Sequence, residues 1–505
     1  ADQEGKGLRP SMVITRLRKL FPAIREKSNI LPPVKDEEVL EKIVSEATAF
    51  RSLTTALRQK ADGREILPVW ADVARWFLQQ EKWKEPFAVV REAFQYRNLA
   101  RPVAREKVGQ LYGNPVLSSV SKLERYTACP FSFFIQYGLG AKERKIFDMR
   151  PPDVGTFLHA AIERFSKLMD KPGSAQNQAT GEEGPVTWRS FSREWCEQKV
   201  SEIVDDSLKR MKGSGIASSK RFTVLTVRLK RVVTRAVWLI AEHIRRGGFD
   251  PVDYEVGFGE GEKYPPIIIE LESGEKVRLT GRIDRIDAME TEDGHYLRII
   301  DYKSGSKDFR LSNVYYGLQL QLITYMDAIW KDAGQDTAHP MLPGGMLYFR
   351  VDDPIIRTDG EVDEAEIEKA IMKQLKMKGL LLADVKLIRH MDREIDGASQ
   401  ILPATLNKGD VLGKNSSVAT MEQFKLLRNY VQQILKHISR EIISGTVDIR
   451  PVKNRDGTAC RYCSYLPICQ FDTVMKENSY RLLRDRDNDE IWQLISEAIR
   501  KEQPE

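Results

Sequence analysis

At 505 residues, with 41% hydrophobic and 30% charged residues, the chain is too long for one core and has the composition of a soluble protein of two or three globular domains. A formal charge of +6 is too mild over this length to establish nucleic-acid binding, and five cysteines, odd in number and unevenly spread, argue against a secreted disulfide framework. No apolar run reaches the ~18 residues of a transmembrane helix, and the opening A-D-Q-E-G-K-G-L-R-P-S has no apolar signal core, so a cytoplasmic protein is expected. The polar start without Met leads us to expect a fragment of a longer protein, or a processed chain.

Residues 1–115 are expected to be helical with proline-rich breaks. S-M-V-I-T-R-L-R-K-L-F (11–21) has a capping serine and an amphipathic pattern, and residues 38–50 and 70–78 carry apolar positions at helical spacing. Nothing in this part carries chemistry. From Ser118 the character changes: residues 118–137 combine a capping start, an amphipathic turn, Cys-Pro and an aromatic run. A helix is predicted over 154–169, with Leu158, Ile162, Phe165 and Met169 on one face, followed by a polar loop at 171–185 and long helices at about 187–212 and 219–247. The basic runs at 228–235 and 243–246 suit a solvated helical face or a phosphate-contacting one.

Strand signals then cluster at 254–258, 267–271, 277–287 and 296–303, separated by E-S-G-E and T-E-D-G turns. A helix is predicted over 314–330, a strand over 345–351, helices at about 362–378 and 420–444, and a last helix near 488–501. The pattern is helices around a small mixed sheet, with no internal repeat.

Chemistry concentrates in L-T-G-R-I-D-R-I-D (279–287) and I-I-D-Y-K-S-G (299–305). Phosphodiester hydrolysis needs a divalent cation to generate hydroxide and neutralise developing charge. Asp284 and Asp301, on neighbouring strands, would hold it. Lys303, two residues on and so on the same face as Asp301, would stabilise the charged state or position the attacking water. Taken singly, Asp284 and Asp287 also suit strand-end carboxylates paired with Arg282 and Arg285. Asp301, however, ends the buried-looking run L-R-I-I, where an ionised carboxylate is costly without a cation or a partner. Gln321 and Tyr325 stand i, i+4 on one helical face. His159 lies one residue off its helix's apolar stripe, as a structural histidine or as an imidazole ligand completing the site.

Cys460 and Cys463 form C-x2-C, Cys469 follows, and Cys129 lies far upstream before Pro130. Three clustered thiolates and a distant fourth suit zinc or an iron–sulfur cluster equally well by spacing, with unrelated free thiols as the remaining alternative.

In order, His159, Gly281-Arg-Ile-Asp284, Asp301-Tyr302-Lys303 and Gln321…Tyr325 resemble the RecB-like nuclease family of the PD-(D/E)xK superfamily. The resemblance implies an α/β (α+β) restriction-endonuclease-like core in which His159, Asp284, Asp301 and the Tyr302 carbonyl bind Mg2+. It makes Lys303 catalytic and has Gln321 and Tyr325 support the site or contact DNA. Asp rather than Glu in the D-x-K element is this group's own variant. The bracketing C…C-x2-C-x5-C pattern resembles the AddAB family of bacterial helicase–nucleases, which implies a four-iron four-sulfur (4Fe-4S) cluster on Cys129, Cys460, Cys463 and Cys469, with Cys196 outside it. The same resemblance makes residues 1–115 the end of a helicase-like region, 116–480 the nuclease domain and 481–505 a terminal helix and tail. It further implies a DNA exonuclease cutting a single strand that leaves an unwound duplex during double-strand-break repair, in a heterodimer with an AddA-type helicase–nuclease. The chain has no phosphate-binding P-loop and so is not a complete motor. Tyr315, Tyr316 and Tyr325 are candidate stacking platforms for DNA bases or core aromatics. The alternatives are a non-catalytic DNA-binding scaffold and a CRISPR-associated cluster-containing nuclease.

Overall fold

The computed structural model describes residues 11–24, 39–40, 43–142, 151–169, 186–211, 220–305, 307–332, 340–358 and 360–502, so the expected polar loop at 171–185 lies outside the described residues. The chain divides into two compact units, Ala1–Arg97 and Asn98–Glu505. In the first, α1 (Met12–Leu20) starts at Ser11, whose hydroxyl accepts the Val13 N–H. Of the helix expected over 38–50, residues 39–40 are helical, residues 38, 41 and 42 lie outside the described residues, and α2 (Glu46–Ala61) starts at Ser45, which caps it by accepting the Thr48 N–H. α2, α3 (Val69–Gln79) and α4 (Lys84–Gln95) enclose a small core of Leu53, Trp70 and Phe77, against which Phe50 and Trp83 pack.

The second unit opens with α5 (Arg105–Tyr112), β1 (Val116–Ser118), α6 (Val120–Ala128, capped by Ser119) and α7 (Pro130–Phe133). Residues 98–115 pack with this unit; the Val103 N–H, for example, donates to the Gly445 carbonyl at 2.8 Å. Then come α8 (Pro151–Met169), α9 (Arg193–Met211) and α10 (Lys220–Arg246). The basic runs of α10 are largely spent on internal partners: Lys230 pairs with Asp205, Arg231 and Arg235 with Asp353, and Arg246 with Glu394, while Arg245 stacks on Phe191 and Trp238. That favours the structural reading of these runs over a phosphate-contacting one.

The strands are β2 (Asp250–Phe258), β3 (Ile267–Glu270), β4 (Lys276–Leu279), β5 (Gly281–Thr291), β6 (Gly294–Lys303), β7 (Met341–Arg350) and β8 (Lys378–Leu382). After them come the short β9 (Gly397–Ala398), β10 (Thr405–Asn407), β11 (Val411–Leu412) and β12 (Val418–Ala419). The main sheet has six strands in the order β12-β8-β7-β6-β5-β2. β2, β5 and β6 run antiparallel, β6 and β7 parallel, and α11 (Leu311–Tyr315) and α12 (Gln321–Asp332) lie in the crossover between that parallel pair. β5 and β6 are buried on both faces, which is why they read as nearly continuous apolar runs.

Two expected elements are each split. The strand predicted over 277–287 breaks at Thr280, leaving β4 in a separate sheet of order β1-β4-β3 and β5 in the main sheet. The helix predicted over 314–330 breaks after Tyr315, where Gly317 takes φ +76, and its second half restarts as α12 at Gln321. The helix expected to reach 378 is α13 (Glu364–Leu375); it stops because the chain turns into β8, and α14 (Val385–Met391) follows. α15 (Met421–Ile443) starts with a full capping box on Thr420 and Gln423. The chain ends in a small sheet of β13 (Val452–Asn454), β14 (Gly457–Thr458) and β15 (Arg481–Leu482), with α16 (Leu466–Cys469) inserted, and α17 (Asn488–Glu502). Among the described residues no helix is long and apolar enough to cross a membrane.

Candidate active site

Strand register assembles the site. Arg285 faces Ile300, so one step along the antiparallel pair Asp284 faces Asp301. On the other side, Glu255 falls between the Tyr254–Arg285 and Val256–Ile283 pairs and faces Asp284. Three carboxylates from three strands therefore stand side by side on one face of the sheet. Asp287, three residues from Asp284, points to the other face. There it takes hydrogen bonds from Arg285 Nε and Nη2 at 2.7 and 2.9 Å and from Arg298 Nη2 at 2.6 Å, all three side chains fully buried. Burial would raise the Asp287 carboxyl, but Arg285 and Arg298 hold it below the usual carboxylate range. The expected partner Arg285 is present; Arg298 takes the place expected of Arg282.

His159 reaches the acids from α8. Its Nδ1 lies 3.4 Å from both Glu255 Oε1 and Asp284 Oδ1, and its Nε2 donates to the Tyr302 carbonyl at 3.1 Å. Burial alone would lower the imidazole pKa, but Asp284 and Glu255 raise it to about 10. The Tyr302 N–H donates to Asp284 Oδ2 at 2.5 Å, which orients that carboxylate. Asp301 is 2% exposed and pairs with Lys303; burial first and Asp284 second push its carboxyl up to about 6. Lys303 Nζ also donates to Gln321 Oε1 at 3.1 Å, and Gln321 Nε2 to the Tyr325 hydroxyl at 2.6 Å. The spacing of Gln321 and Tyr325 thus forms a relay that holds the lysine.

The donor set fits a hard cation. The side-chain ligand atoms of His159, Glu255 and Asp284 lie within 4.8 Å of one another, with Asp301 and the Tyr302 carbonyl adjoining. Two buried carboxylate oxygens, Glu255 Oε1 and Asp301 Oδ2, make no hydrogen bond among the described residues; each lies against a basic group, the His159 ring and the Lys303 ammonium, and beside the Asp284 carboxylate. Oxygen-rich, partly unsatisfied and buried, such a cluster suits Mg2+.

Two contributors escaped sequence reasoning. Glu255 sits in Y-E-V-G-F, where a charged residue in an apolar strand was the available signal. Glu124 accepts the N–H groups of Leu320 and Gln321 at 2.7 and 3.1 Å, capping α12 and fixing where Gln321 begins. Of the candidate platforms, Tyr325 is 5% exposed against Phe258 and Tyr315 stacks on Tyr430 with 5.5 Å between centroids, so both serve packing; Tyr316 is half-buried and donates to the Arg484 carbonyl. Gly281 is glycine for a steric reason: a Cβ there would meet the Phe258 ring at 2.7 Å.

Away from the sheet, Cys129, Cys460, Cys463 and Cys469 line one pocket of about 20 Å3, while Cys196 is buried elsewhere, on α9. Cys129 ends α6, and Cys460 and Cys463 share a turn after β14, the Cys463 N–H donating to the Cys460 carbonyl at 3.2 Å. Burial raises the Cys460 thiol to about 11, with the neighbouring cysteines adding to it. Burial, with a neighbouring cysteine adding to it, also raises the Cys129 and Cys469 thiols, and four cysteines gathered on one pocket fit a shared cation, which would stabilise them as thiolates.

Residues 118–470 match the family model of the PD-(D/E)XK nuclease superfamily. The chain belongs to that superfamily. Every PD-(D/E)XK position expected from the sequence, from His159 to Tyr325, falls inside the matched span, and the mixed sheet flanked by helices is the fold expected. Residues 35–93 match the fifth domain of the ATP-dependent helicase/deoxyribonuclease AddB. Over 497 residues, 98% of its length, the chain is 62% identical to the B subunit of the ATP-dependent helicase/deoxyribonuclease of Acetivibrio thermocellus and 55% identical to that of Ruminiclostridium cellulolyticum; it is 46% identical to the Clostridium novyi protein of the same name over 495 residues. It spans 42% of the length of each of these relatives. The resemblance to the AddAB family drawn from the motifs is therefore matched along nearly the whole chain.

Proposed function

We propose that this chain is the Mg2+-dependent nuclease part of an AddB-type helicase–nuclease, cutting one DNA strand as it emerges from the unwound duplex during double-strand-break processing for recombination. The observation that carries this reading is the alignment of Glu255, Asp284 and Asp301 across three strands with Lys303 beside them. His159, Asp284, Asp301 and the Tyr302 carbonyl would hold the ion, with Glu255 adjoining; when bound, the ion supplies charge neutralisation and a nucleophilic water at neutral pH. By holding the ion, Asp284 and Asp301 would set where the scissile phosphate can sit relative to the sheet. Lys303, steadied by Gln321, places a positive charge where the pentacovalent phosphate becomes most negative. Tyr325 holds Gln321 in turn and does not touch the reacting atoms.

The four cysteines would hold a 4Fe-4S cluster, tying Cys129 to the C-terminal segment. Its role would be structural and in DNA binding, since the pocket lies apart from the acids. The partner in this reading is an AddA-type helicase–nuclease that cuts the other strand. In the full-length protein with its partner, Asp301→Ala is expected to abolish cleavage of one strand and leave the fold intact, measured on strand-specifically labelled duplex; retained cutting of both strands would sink the assignment.

A further inference from the structure

The row of facing residues does not stop at the acids. Asp301 on β6 faces Tyr348 on β7, Tyr348 faces Lys378 on β8, and Lys303 faces Arg350. Directly opposed residues share a sheet face. The surface that is acidic over β2, β5 and β6 therefore turns basic over β7 and β8. Lys303, Lys307, Tyr348, Arg350, Lys376 and Lys378 line a pocket there of about 40 Å3, with Asp308 the one carboxylate of the lining. That is several times the ~10–15 Å3 a single water needs.

Lys303 pairs with Asp301 and Arg350 with Asp352, but Lys307, Lys376 and Lys378 form no ion pair among the described residues. Two polar atoms lack a partner in the same place. The Tyr348 hydroxyl, on a side chain 2% exposed, and Arg350 Nε make no hydrogen bond among the described residues. Buried donors are rarely left unpaired, so an acceptor belongs here. Lys303 and Lys307 both stand over the Tyr348 ring, at 5.6 and 5.1 Å from its centroid, which gathers two positive charges on this side of the sheet. Burial, and then Lys378 beside it, hold the Lys376 ammonium below its ordinary value, a repulsion that an anion would relieve.

We propose that this pocket seats a backbone phosphate of the DNA strand flanking the scissile one. The inference rests on the nuclease reading above. Adjacent strands lie ~4.8 Å apart, so Lys378 stands roughly 10 Å from Asp301 across two spacings, a reach of one or two nucleotides. The seat fixes where the strand lies when its neighbour is cut and so sets the shortest product.

The test uses the full-length protein with its partner, carrying Lys376→Gln and Lys378→Gln together, with Tyr348→Phe as a milder variant. Single-stranded oligonucleotides carry one uncharged methylphosphonate at each flanking position in turn, and the p-nitrophenyl ester of thymidine 5′-phosphate reports hydrolysis of a lone phosphodiester. In the parent, one flanking methylphosphonate should slow cleavage of the neighbouring bond about 10-fold, the size of one charge-assisted hydrogen-bond contact. The double variant should lose about as much on ordinary DNA, show no further response to that methylphosphonate, and hydrolyse the ester like the parent. With Ca2+ in place of Mg2+, the salt slope of its strand binding should fall by about 0.7. A double variant that responds to every methylphosphonate as the parent does overturns the proposal, as does a parent indifferent to all of them. Equal loss on DNA and on the ester also overturns it. The nuclease reading fails separately, if the complex carrying Asp301→Asn still cuts both strands of a strand-specifically labelled duplex.

Discussion

Glu255 holds a left-handed backbone, φ +46, inside an otherwise extended strand. For a residue with a Cβ this costs about 1–2 kcal/mol, and the carboxylate so held lies against His159 and Asp284. Glu255→Gln keeps the shape and removes the charge. It should weaken Mg2+ binding by about 10- to 100-fold, as loss of a supporting group around a metal does, and calorimetry would measure that. In the metal-free protein the same change should bring the His159 titration down from about 10, since one of two carboxylates raising it is gone; an unmoved imidazole NMR titration would remove Glu255 from the site. The pH dependence has a definite sign. Asp301 takes up a proton as pH falls through about 6, and His159 keeps its proton up to about 10. Both must be deprotonated to ligate a cation. Mg2+ affinity should therefore climb from pH 6 toward 9 with net proton release, detectable as a binding enthalpy that changes with the buffer's ionisation enthalpy.

Elements explain which parts of the site were legible beforehand. Asp284, Asp301 and Lys303 could be placed together from the sequence because strand side chains alternate, so D-x-K puts both groups on one face. Glu255 could not, because facing Asp284 depends on pairing β2 with β5 across a separate sheet inserted between them. The break at Thr280 is hard to see because V-R-L before it and R-I-D-R-I-D after it are both strand-forming, with Gly281 the one residue that marks it. The break before α12 was hidden because Y-G-L-Q-L continues a helical apolar pattern; what ends the helix is the backbone of Gly317 and what restarts it is Glu124, nearly two hundred positions upstream. At Gly317 a Cβ would meet Ile434 and Thr127 at 3.3 Å on a positive φ. Gly317→Ala should cost about 1–2 kcal/mol, read from urea unfolding, and should displace Gln321 enough to lower kcat more than KM. β8 was missed because K-M-K-G-L-L-L extends the preceding helical pattern, and with it went the basic half of the sheet face.

For the whole molecule, the four cysteines join segments remote in sequence. Replacing Cys129, Cys460, Cys463 or Cys469 with Ser should remove the brown absorption expected of a cluster and lower the thermal midpoint, whereas Cys196→Ser should leave the colour unchanged. A colourless, zinc-bearing parent protein, established by metal analysis, would refute the iron–sulfur assignment. The same joining extends to the backbone, where the Phe131 N–H donates to the Asp448 carbonyl and the Arg481 guanidinium reaches the Thr127 carbonyl. A ribosome makes the Cys129 segment long before it makes these partners. Throughout that interval the Phe131 N–H lacks the Asp448 carbonyl to which it donates in the folded chain. On the nuclease reading proposed above, the nascent chain would carry Asp284 and Asp301 before the Cys129 turn has its C-terminal partners, and a competent nuclease would form only once the segment bearing Cys469 and Arg481 leaves the exit tunnel.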